Sequence, residues 1–315
     1  MSLLMELLAI RLGCETAAAK SLVIPPGEGW GGGSLHVEAQ GSGKPILLIH
    51  GWGMHGGMWG RLPEQLAQSC RAYSVDLPGH GFSSLPSPAS GRGAGGEGSE
   101  QGTLSPSLSR ERERGLDSLD AIVTQLRAQF GDEPLTLCGW SLGGQVAMRW
   151  AQQHPGQVEK LVLLATTPCF VRRDGWDCAM SGDTLQQFAE ALLQNHAQTL
   201  RRFLALQVRG SENERELLTV LREQLFSRGE PDVAALKVGL DILRDADMRA
   251  ALPEIKQPTL LVAGERDTIT PLGAAQYAAQ ALPSAQLLSI KGAAHAPFLS
   301  HRDEVVKHML SFMRG

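Results

Sequence analysis

Six short apolar runs, separated by helical stretches and glycine-rich loops, constrain the fold of this 315-residue chain more than any other feature. The run over 45–49 is apolar throughout and ends at a His-Gly-Trp-Gly sequence, which is typical of a strand buried on both faces. Strands that alternate with helices imply right-handed crossovers, so we predict an α/β fold with a mostly parallel central sheet and helices on both faces. The six predicted strands span 45–49, 72–75, 135–138, 158–164, 259–263 and 285–290.

Three segments fall outside this alternation and define the predicted domain organisation. Residues 1–33 contain a Pro- and Gly-rich stretch and are predicted to be a disordered extension. Residues 85–115 are rich in Ser, Gly and Pro, end in alternating Arg and Glu, and are predicted to be a disordered insertion. Residues 170–252 are predicted to be helical throughout and to form a cap, inserted between the core segments 34–169 and 253–315. Such a cap would overhang the carboxyl edge of the sheet, where α/β sheets bind ligands.

The composition argues against several classes of partner. A formal net charge of −4 gives no electrostatic footprint for nucleic acid or for an anionic membrane surface. The five cysteines include no Cys-x-x-Cys pair, which favours free thiols in a reducing compartment and offers no zinc site. No apolar run approaches the roughly 20 residues that span a bilayer, and the start of the chain is a poor signal peptide. We therefore expect a cytoplasmic protein, a monomer by default, with no metal or other cofactor.

A Gly-Trp-Ser-Leu-Gly sequence at 139–143 indicates a nucleophilic serine. This G-x-S-x-G pattern marks a sharp strand-to-helix turn, in which small neighbours let the serine hydroxyl project above the sheet. The pattern is short enough to occur by chance. Here, however, it follows the predicted strand 135–138 and precedes a predicted helix over 142–153, as the turn requires. We therefore predict that Ser141 is the catalytic nucleophile.

A serine hydroxyl needs a base within hydrogen-bond reach and an acid that orients the base. His295 lies in a loop of small residues after the last predicted strand, at the carboxyl edge of the sheet where Ser141 is expected. Asp267 follows the strand 259–263 and is preferred to Glu265 as the orienting acid, because it lies farther from the strand end. The chain order Ser, Asp, His is that of α/β-hydrolases.

The tetrahedral intermediate of acyl transfer also needs two hydrogen-bond donors for its oxyanion. The backbone N–H of Leu142, directly after the nucleophile, is predicted to be one donor. The second is predicted to be the N–H of Trp52, in the glycine-containing loop at 50–53. His50 begins this loop, and we expect it to hold the loop by hydrogen bonds.

Six motifs together resemble the α/β-hydrolase superfamily and, more narrowly, the pimeloyl-[acyl-carrier protein] methyl ester esterases of biotin synthesis. The cap stretch Arg-Phe-Leu-Ala-Leu-Gln is the most specific of them, because caps differ most between families. The resemblance extends over about 35–315, apart from the insertion near 85–115. The six motifs lie at 50–53, 76–83, 139–144, 167–170, 202–207 and 293–298.

The resemblance implies an α/β-hydrolase fold with an inserted helical cap and removal of a methyl group from a pimeloyl chain on acyl-carrier protein. It implies that basic cap residues dock the acidic carrier protein, here Arg202 and Arg215. Packing in a helix core is the alternative interpretation of residues 203–206, and it stays open for Leu204 and Leu206 individually. The implied substrate-binding residues are Trp52, Ser141, Leu142, Phe203, Leu204, Ala205, Leu206, Gln207 and His295.

Other functions are compatible with the same triad. A broad-specificity carboxylesterase acting on small or medium-chain free esters is the main alternative. A hydrolase of C–C bonds or a cofactor-free haloperoxidase would also use these residues. A non-catalytic binding module of the same fold would be expected to lack a triad residue or the loop at 50–53 that supplies an oxyanion donor. This chain has the three triad residues and that loop.

Overall fold

The computed structural model describes residues 34–85 and 108–315, and this part of the chain contains one seven-stranded sheet. Its strands are β1 (Val37–Gly41), β2 (Pro45–Ile49), β3 (Arg71–Val75), β4 (Leu135–Trp140), β5 (Val158–Leu164), β6 (Thr259–Gly264) and β7 (Ala285–Ile290). They lie in the order β1-β3-β2-β4-β5-β6-β7, and only the β1–β3 pair is antiparallel. The prediction of a mostly parallel sheet is confirmed, and all six predicted strands are present.

The first strand was not predicted. β1 lies at the edge of the sheet, where only Val37 is fully buried and the next three residues are half-buried. By contrast β2 and β4 are buried along their whole length, which is why their apolar runs are conspicuous in the sequence.

Helices pack against the sheet. α3 packs on β2, β4 and β5, and α8 packs on β6 and β7. In the described ranges no helix is long and apolar enough to cross a membrane, and no group of three or more metal-ligating side chains forms a cluster. The helices are α1 (Leu62–Leu66), α2 (Leu108–Phe130), α3 (Leu142–Gln153), α4 (Gly182–Gln194), α5 (His196–Val208), α6 (Glu214–Gln224), α7 (Val233–Asp245), α8 (Leu272–Ala281), α9 (Pro297–Ser300) and α10 (Arg302–Arg314).

The prediction of a disordered insertion over 85–115 is wrong at its end, because α2 begins at Leu108. Arg and Glu, which alternate from 110 to 114, have high helix propensities and are compatible with a helix there. The predicted disorder of 1–33 and of 86–107 lies outside the described residues.

The prediction that 170–252 is helical throughout is also wrong at its start. Helices α4 to α7 occupy most of this cap segment, but residues 171–181 form a hairpin-like loop with bridges between Val171 and Met180 and between Arg173 and Trp176. Gly175, with φ of 67°, reverses the chain, and cross-loop hydrogen bonds then satisfy the backbone. The apolar core is continuous from the sheet into the cap segment.

Candidate active site

Ser141 lies in a strained turn between β4 and α3. Its φ of 54° and ψ of −117° are unfavourable for a residue with a side chain. Ser141 N–H donates to Leu164 O at 3.0 Å, and the Thr166 hydroxyl donates to Ser141 O at 2.6 Å. A Cβ atom at Gly143 would collide with the carbonyl of Ile49, so the second glycine of the motif is sterically required. These contacts hold the serine at the carboxyl edge of the sheet.

His295 and Asp267, from the loops after β7 and β6, form a buried pair. His295 Nδ1 lies 2.8 Å from Asp267 Oδ2. The other carboxylate oxygen, Oδ1, accepts the N–H groups of Ile269 at 2.8 Å and Thr270 at 2.9 Å. Because a carboxylate only accepts, Nδ1 carries the ring proton and Nε2 keeps a lone pair. Within the described ranges, this buried Nε2 has no hydrogen-bond partner, so it is available to accept a proton.

Thr270 is a residue of this site that sequence reasoning missed. Its hydroxyl donates to Asp267 Oδ2 at 2.7 Å and lies 3.2 Å from His295 Nδ1. Asp267 therefore has three donors in addition to the imidazole. A threonine three residues after the acid carries no signal in the sequence, because its contact with the histidine depends on how two loops meet.

The backbone of His295 ties its loop to two other elements. Its N–H donates to the carbonyl of Gln207 in α5 at 2.9 Å. Its carbonyl accepts the indole N–H of Trp140, which directly precedes the nucleophile, at 2.9 Å. The position of the imidazole is therefore coupled both to the cap segment and to the serine turn.

The loop over 50–57, which we call the oxyanion loop, passes directly against the serine. A Cβ atom at Gly51 would lie 3.3 Å from Ser141 Cβ. In the part of the chain that the structure describes, the N–H groups of Trp52 and Leu142 have no backbone or side-chain acceptor. Both N–H groups are therefore available to donate to another acceptor.

His50 holds the start of the oxyanion loop, as expected. Its Nδ1 donates to Gly51 O at 2.8 Å, and its Nε2 accepts the N–H of Leu77 at 2.9 Å. Burial lowers the pKa of His50 well below its usual value, so the ring is neutral at pH 7. A neutral ring with one donor and one acceptor fits both of its partners.

An aromatic cluster joins the oxyanion loop to the cap segment. The Trp52 ring packs edge-to-face against Phe203 in α5 at 5.2 Å and Phe188 in α4 at 5.3 Å, measured between centroids. Its indole N–H donates to Leu236 O in α7 at 2.8 Å. Phe188 is a further residue of the site that sequence reasoning missed, because an apolar residue at helical spacing is normally core.

The five predicted cap positions at 203–207 differ in their surroundings. Phe203 contacts Trp52, and Gln207 contacts the His295 loop through its carbonyl. Leu204 is fully buried in the apolar core, whereas Ala205 and Leu206 are half-buried. The structure thus brings the two ends of this stretch to the predicted site.

The two predicted docking residues lie on the outside of the cap segment. Arg202 in α5 and Arg215 in α6 are both exposed. Among the described ion pairs, none involves either side chain. Both side chains are therefore accessible from solvent on the outer face of the cap segment.

Residues 44–302 match the family model described as alpha/beta hydrolase fold. The structure also resembles an esterase from Exiguobacterium antarcticum, with a TM-score of 0.75 and 22% identity over 92% of this chain and 99% of that chain. A bromoperoxidase from Bacillus anthracis gives a TM-score of 0.72 and 21% identity, over 90% and 96% of the respective chains. The protein is an α/β-hydrolase.

Relatives of about 40% sequence identity define the family within the α/β-hydrolases more narrowly. The chain is 42% identical over 273 residues to the pimeloyl-[acyl-carrier protein] methyl ester esterase of Nitrosomonas europaea, which covers 87% of this chain and 97% of that protein. The protein of the same name from Chromobacterium violaceum is 40% identical over 274 residues, covering 87% and 96%. The chain belongs to the family of pimeloyl-[acyl-carrier protein] methyl ester esterases, and the resemblance inferred from its motifs is confirmed.

Proposed function

We propose that this chain hydrolyses the methyl ester of pimeloyl-[acyl-carrier protein] in biotin synthesis. The observation that carries the proposal is the identity of about 40% to esterases of that name over nearly their whole length. The site supports it, because the chain presents a serine in a strained turn and a buried imidazole–carboxylate pair at one edge of the sheet. All the assigned residues lie in one chain, so a monomer can carry the site, and we place the enzyme in the cytoplasm with the other enzymes of biotin synthesis.

The proposed chemistry uses protein groups and water alone. His295 Nε2 accepts the hydroxyl proton of Ser141 as Oγ attacks the ester carbonyl, and the N–H groups of Trp52 and Leu142 stabilise the oxyanion. When the tetrahedral intermediate collapses, the bond to the methoxy oxygen breaks and His295 returns the proton, releasing methanol. Water then attacks the acyl-enzyme in the same way and frees the ω-carboxylate. Asp267 keeps the imidazole in the required tautomer throughout.

The proposed pocket lies between the oxyanion loop and the cap segment. Trp52, Phe203 and Phe188 supply an aromatic surface for the methylene chain. Apolar surface of this kind favours a chain of methylene groups, each worth about 0.8 kcal/mol when buried. We assign the remaining substrate contacts to Leu142 and to Leu204, Ala205, Leu206 and Gln207.

We further propose that the carrier protein docks on the cap through Arg202 and Arg215, which are exposed. Exposed cations attract an acidic partner and set the rate of encounter, and salt screens them over a Debye length of about 8 Å at physiological ionic strength. The double change Arg202→Glu with Arg215→Glu should therefore raise KM for the carrier-linked ester roughly 5- to 50-fold at low salt. It should leave a small free ester unaffected.

Matched charge reversals provide the control for docking. Lys307 and Arg314 in α10 are also exposed, and changing both to Glu alters the net charge equally. If the control pair raises KM as much as the cap pair, the effect is one of net charge and the docking assignment is wrong. Equal losses of the cap pair on both substrates would mean that the arginines support the cap structure.

Complementation tests the proposed function in the cell. The gene should restore growth without biotin to a bacterial strain that lacks its methyl ester esterase, and the Ser141→Ala variant should not. A broad-specificity esterase would hydrolyse free esters and fail to restore growth, even when expressed at the same level.

A further inference from the structure

A charged cluster joins the cap segment to the core beside the end of the oxyanion loop. Arg228, between α6 and α7, has a side chain that is only 11% exposed. It donates to Glu38 Oε1 in β1 at 2.7 Å and lies 3.3 Å from both carboxylate oxygens of Asp76. Its guanidinium also stacks over the Phe82 ring at 5.4 Å. One cation from the cap therefore faces two carboxylates of the core.

Asp76 in turn holds the oxyanion loop. This carboxylate, which follows β3, is completely buried. Its Oδ1 accepts the N–H of Gly56 at 2.6 Å, and its Oδ2 accepts the N–H of Phe82 at 2.9 Å. Gly56 lies four residues after Trp52, whose N–H is the proposed oxyanion donor. Arg228 therefore contacts Asp76, and Asp76 in turn binds the backbone of the oxyanion loop.

A second connection joins the same loop to the cap. His55 Nε2 donates to Gln224 O, at the end of α6, at 3.0 Å. Its Nδ1 accepts the N–H of Gly57 at 3.1 Å. Burial lowers the pKa of His55, so the neutral ring donates through one nitrogen and accepts through the other. The end of the oxyanion loop is therefore bound to the cap directly at Gln224 and, through the Asp76 carboxylate, at Arg228.

Arg228 is the cation that stabilises the two carboxylates of this cluster, Glu38 and Asp76. Burial alone raises the pKa of Glu38, but the hydrogen bonds from His36 and Arg228, with the charge of Arg228, lower it to about 2. Removal of the cation would leave the buried Asp76 carboxylate and the half-buried Glu38 carboxylate without the charge that both of them contact, which is strongly unfavourable. Asp76 would then be expected to rotate or to admit water, and either change weakens its hold on Gly56 N–H.

We propose that Arg228 is a positioning residue, which fixes the oxyanion loop through Asp76 and Gly56 and so makes oxyanion binding depend on a docked cap. The proposal rests on the assignment of Trp52 N–H as an oxyanion donor. The position of an oxyanion donor strongly affects kcat. Loss of one donor lowers kcat about 10²- to 10³-fold, and a displacement of about 1 Å can lower it about 10²-fold. Arg228 itself touches no reacting atom.

The test compares Arg228→Met and Arg228→Lys with Arg222→Met, an exposed arginine on α6 that serves as the control. The substrate is p-nitrophenyl butyrate, and butylboronic acid, which forms a tetrahedral adduct with the serine, reports oxyanion binding. We expect Arg228→Met to lower kcat roughly 10- to 100-fold with KM changed by less than about threefold. The inhibition constant of the boronic acid should rise by the same factor as kcat falls. Arg228→Lys should show the same pattern at a smaller size, and Arg222→Met should match the wild type.

A folded Arg228→Met protein with wild-type kcat and boronic acid affinity would overturn the proposal, as would a loss confined to KM. If Arg228→Met does not fold, Arg228→Lys decides: wild-type values of kcat and of the inhibition constant would overturn the proposal, and a parallel change in both would support it. The free ester keeps this test separate from the proposed substrate. A wild type that hydrolyses p-nitrophenyl butyrate but not the carrier-linked ester would refute the proposed function alone.

Discussion

The change Asp267→Asn tests the hydrogen-bond network of the candidate triad most sharply. Two backbone N–H groups, from Ile269 and Thr270, donate to Asp267 Oδ1. An asparagine in the same place must put its oxygen there, because an NH₂ group would face two donors. Its NH₂ group then occupies the Oδ2 position, opposite His295 Nδ1. The NH₂ donates to Nδ1, and the ring proton moves to Nε2.

The magnitude follows from this reversal. An imidazole protonated at Nε2 cannot accept the proton of Ser141, and the corresponding change in other serine triads lowers kcat about 10⁴-fold, or about 5 kcal/mol. Flipping the amide to restore the tautomer would leave two buried donors unsatisfied, at about 1–3 kcal/mol each. The flip is therefore too costly to rescue activity, while the overall geometry stays intact.

The assay is the steady-state hydrolysis of p-nitrophenyl butyrate, with circular dichroism to verify folding. Glu265→Gln is the matched control, because it neutralises a carboxylate two residues earlier in the same loop. Within residues 34–85 and 108–315, the Glu265 side chain accepts a hydrogen bond only from Ser289, at 3.1 Å. We expect the control to retain most of its activity. If Asp267→Asn keeps more than about a tenth of kcat, or if Glu265→Gln loses as much, the assignment of the acid is wrong.

Three further predictions concern stability, measured by urea unfolding. A Cβ atom at Gly239 in α7 would lie 2.5 Å from the Trp52 ring. Gly239→Ala should therefore lower the free energy of unfolding by about 1–3 kcal/mol, although alanine has the higher helix propensity. An unchanged free energy of unfolding would contradict this packing. The pKa of Glu38 falls to about 2 on folding, so its stabilisation is complete above pH 4.5 and is lost as the pH falls towards 2. The full shift corresponds to about 3 kcal/mol, and solvent screening reduces this to about 1–2 kcal/mol, so the excess stability of wild type over Glu38→Gln should shrink in that window. Burial lowers the pKa of His50 and His80, so stability should be complete above pH 6.5 and fall below it by up to about 1.4 kcal/mol per pH unit for each ring; a flat profile from pH 7.5 to 5.5 would contradict this.

The central strands and the candidate triad could be predicted from sequence because their signals are local. The run at 45–49 is apolar at every position because β2 is buried on both faces. Ser141 and Asp267 follow strands that are buried along their whole length, and His295 follows β7, which is partly exposed. The carboxyl ends of parallel strands meet at one edge of the sheet. The predicted topology therefore places all three residues at the same edge of the sheet.

Elements that depend on weak or mixed patterns could not be predicted. β1 is an edge strand with half-buried polar residues, so it lacks an apolar run. The start of α2 includes the alternating charges at 110–114, and a charge run of this kind is as typical of a solvated segment as of a helix. The hairpin-like loop at 171–181 depends on Gly175 adopting a positive φ. A glycine within an otherwise helical pattern does not by itself indicate that conformation.

The contacts that support the site could not be predicted from the sequence, because they join segments whose packing the sequence does not show. Arg228 and Asp76 are 152 residues apart, and their contact depends on how the cap segment packs on the core. Thr270 lies close to Asp267 in sequence, but its approach to His295 requires two loops to meet. Such residues resemble ordinary surface or loop positions until the packing of the whole molecule is known.

Methanol release from pimeloyl-[acyl-carrier protein] methyl ester is the measurement that tests the central claim most directly. We expect the wild type to release methanol and free the ω-carboxylate, with a higher kcat/KM on this substrate than on the free methyl ester. The Ser141→Ala variant, folded like the wild type, should be about 10⁴- to 10⁶-fold slower. No release by the wild type, or release by Ser141→Ala within tenfold of the wild type, would contradict the account.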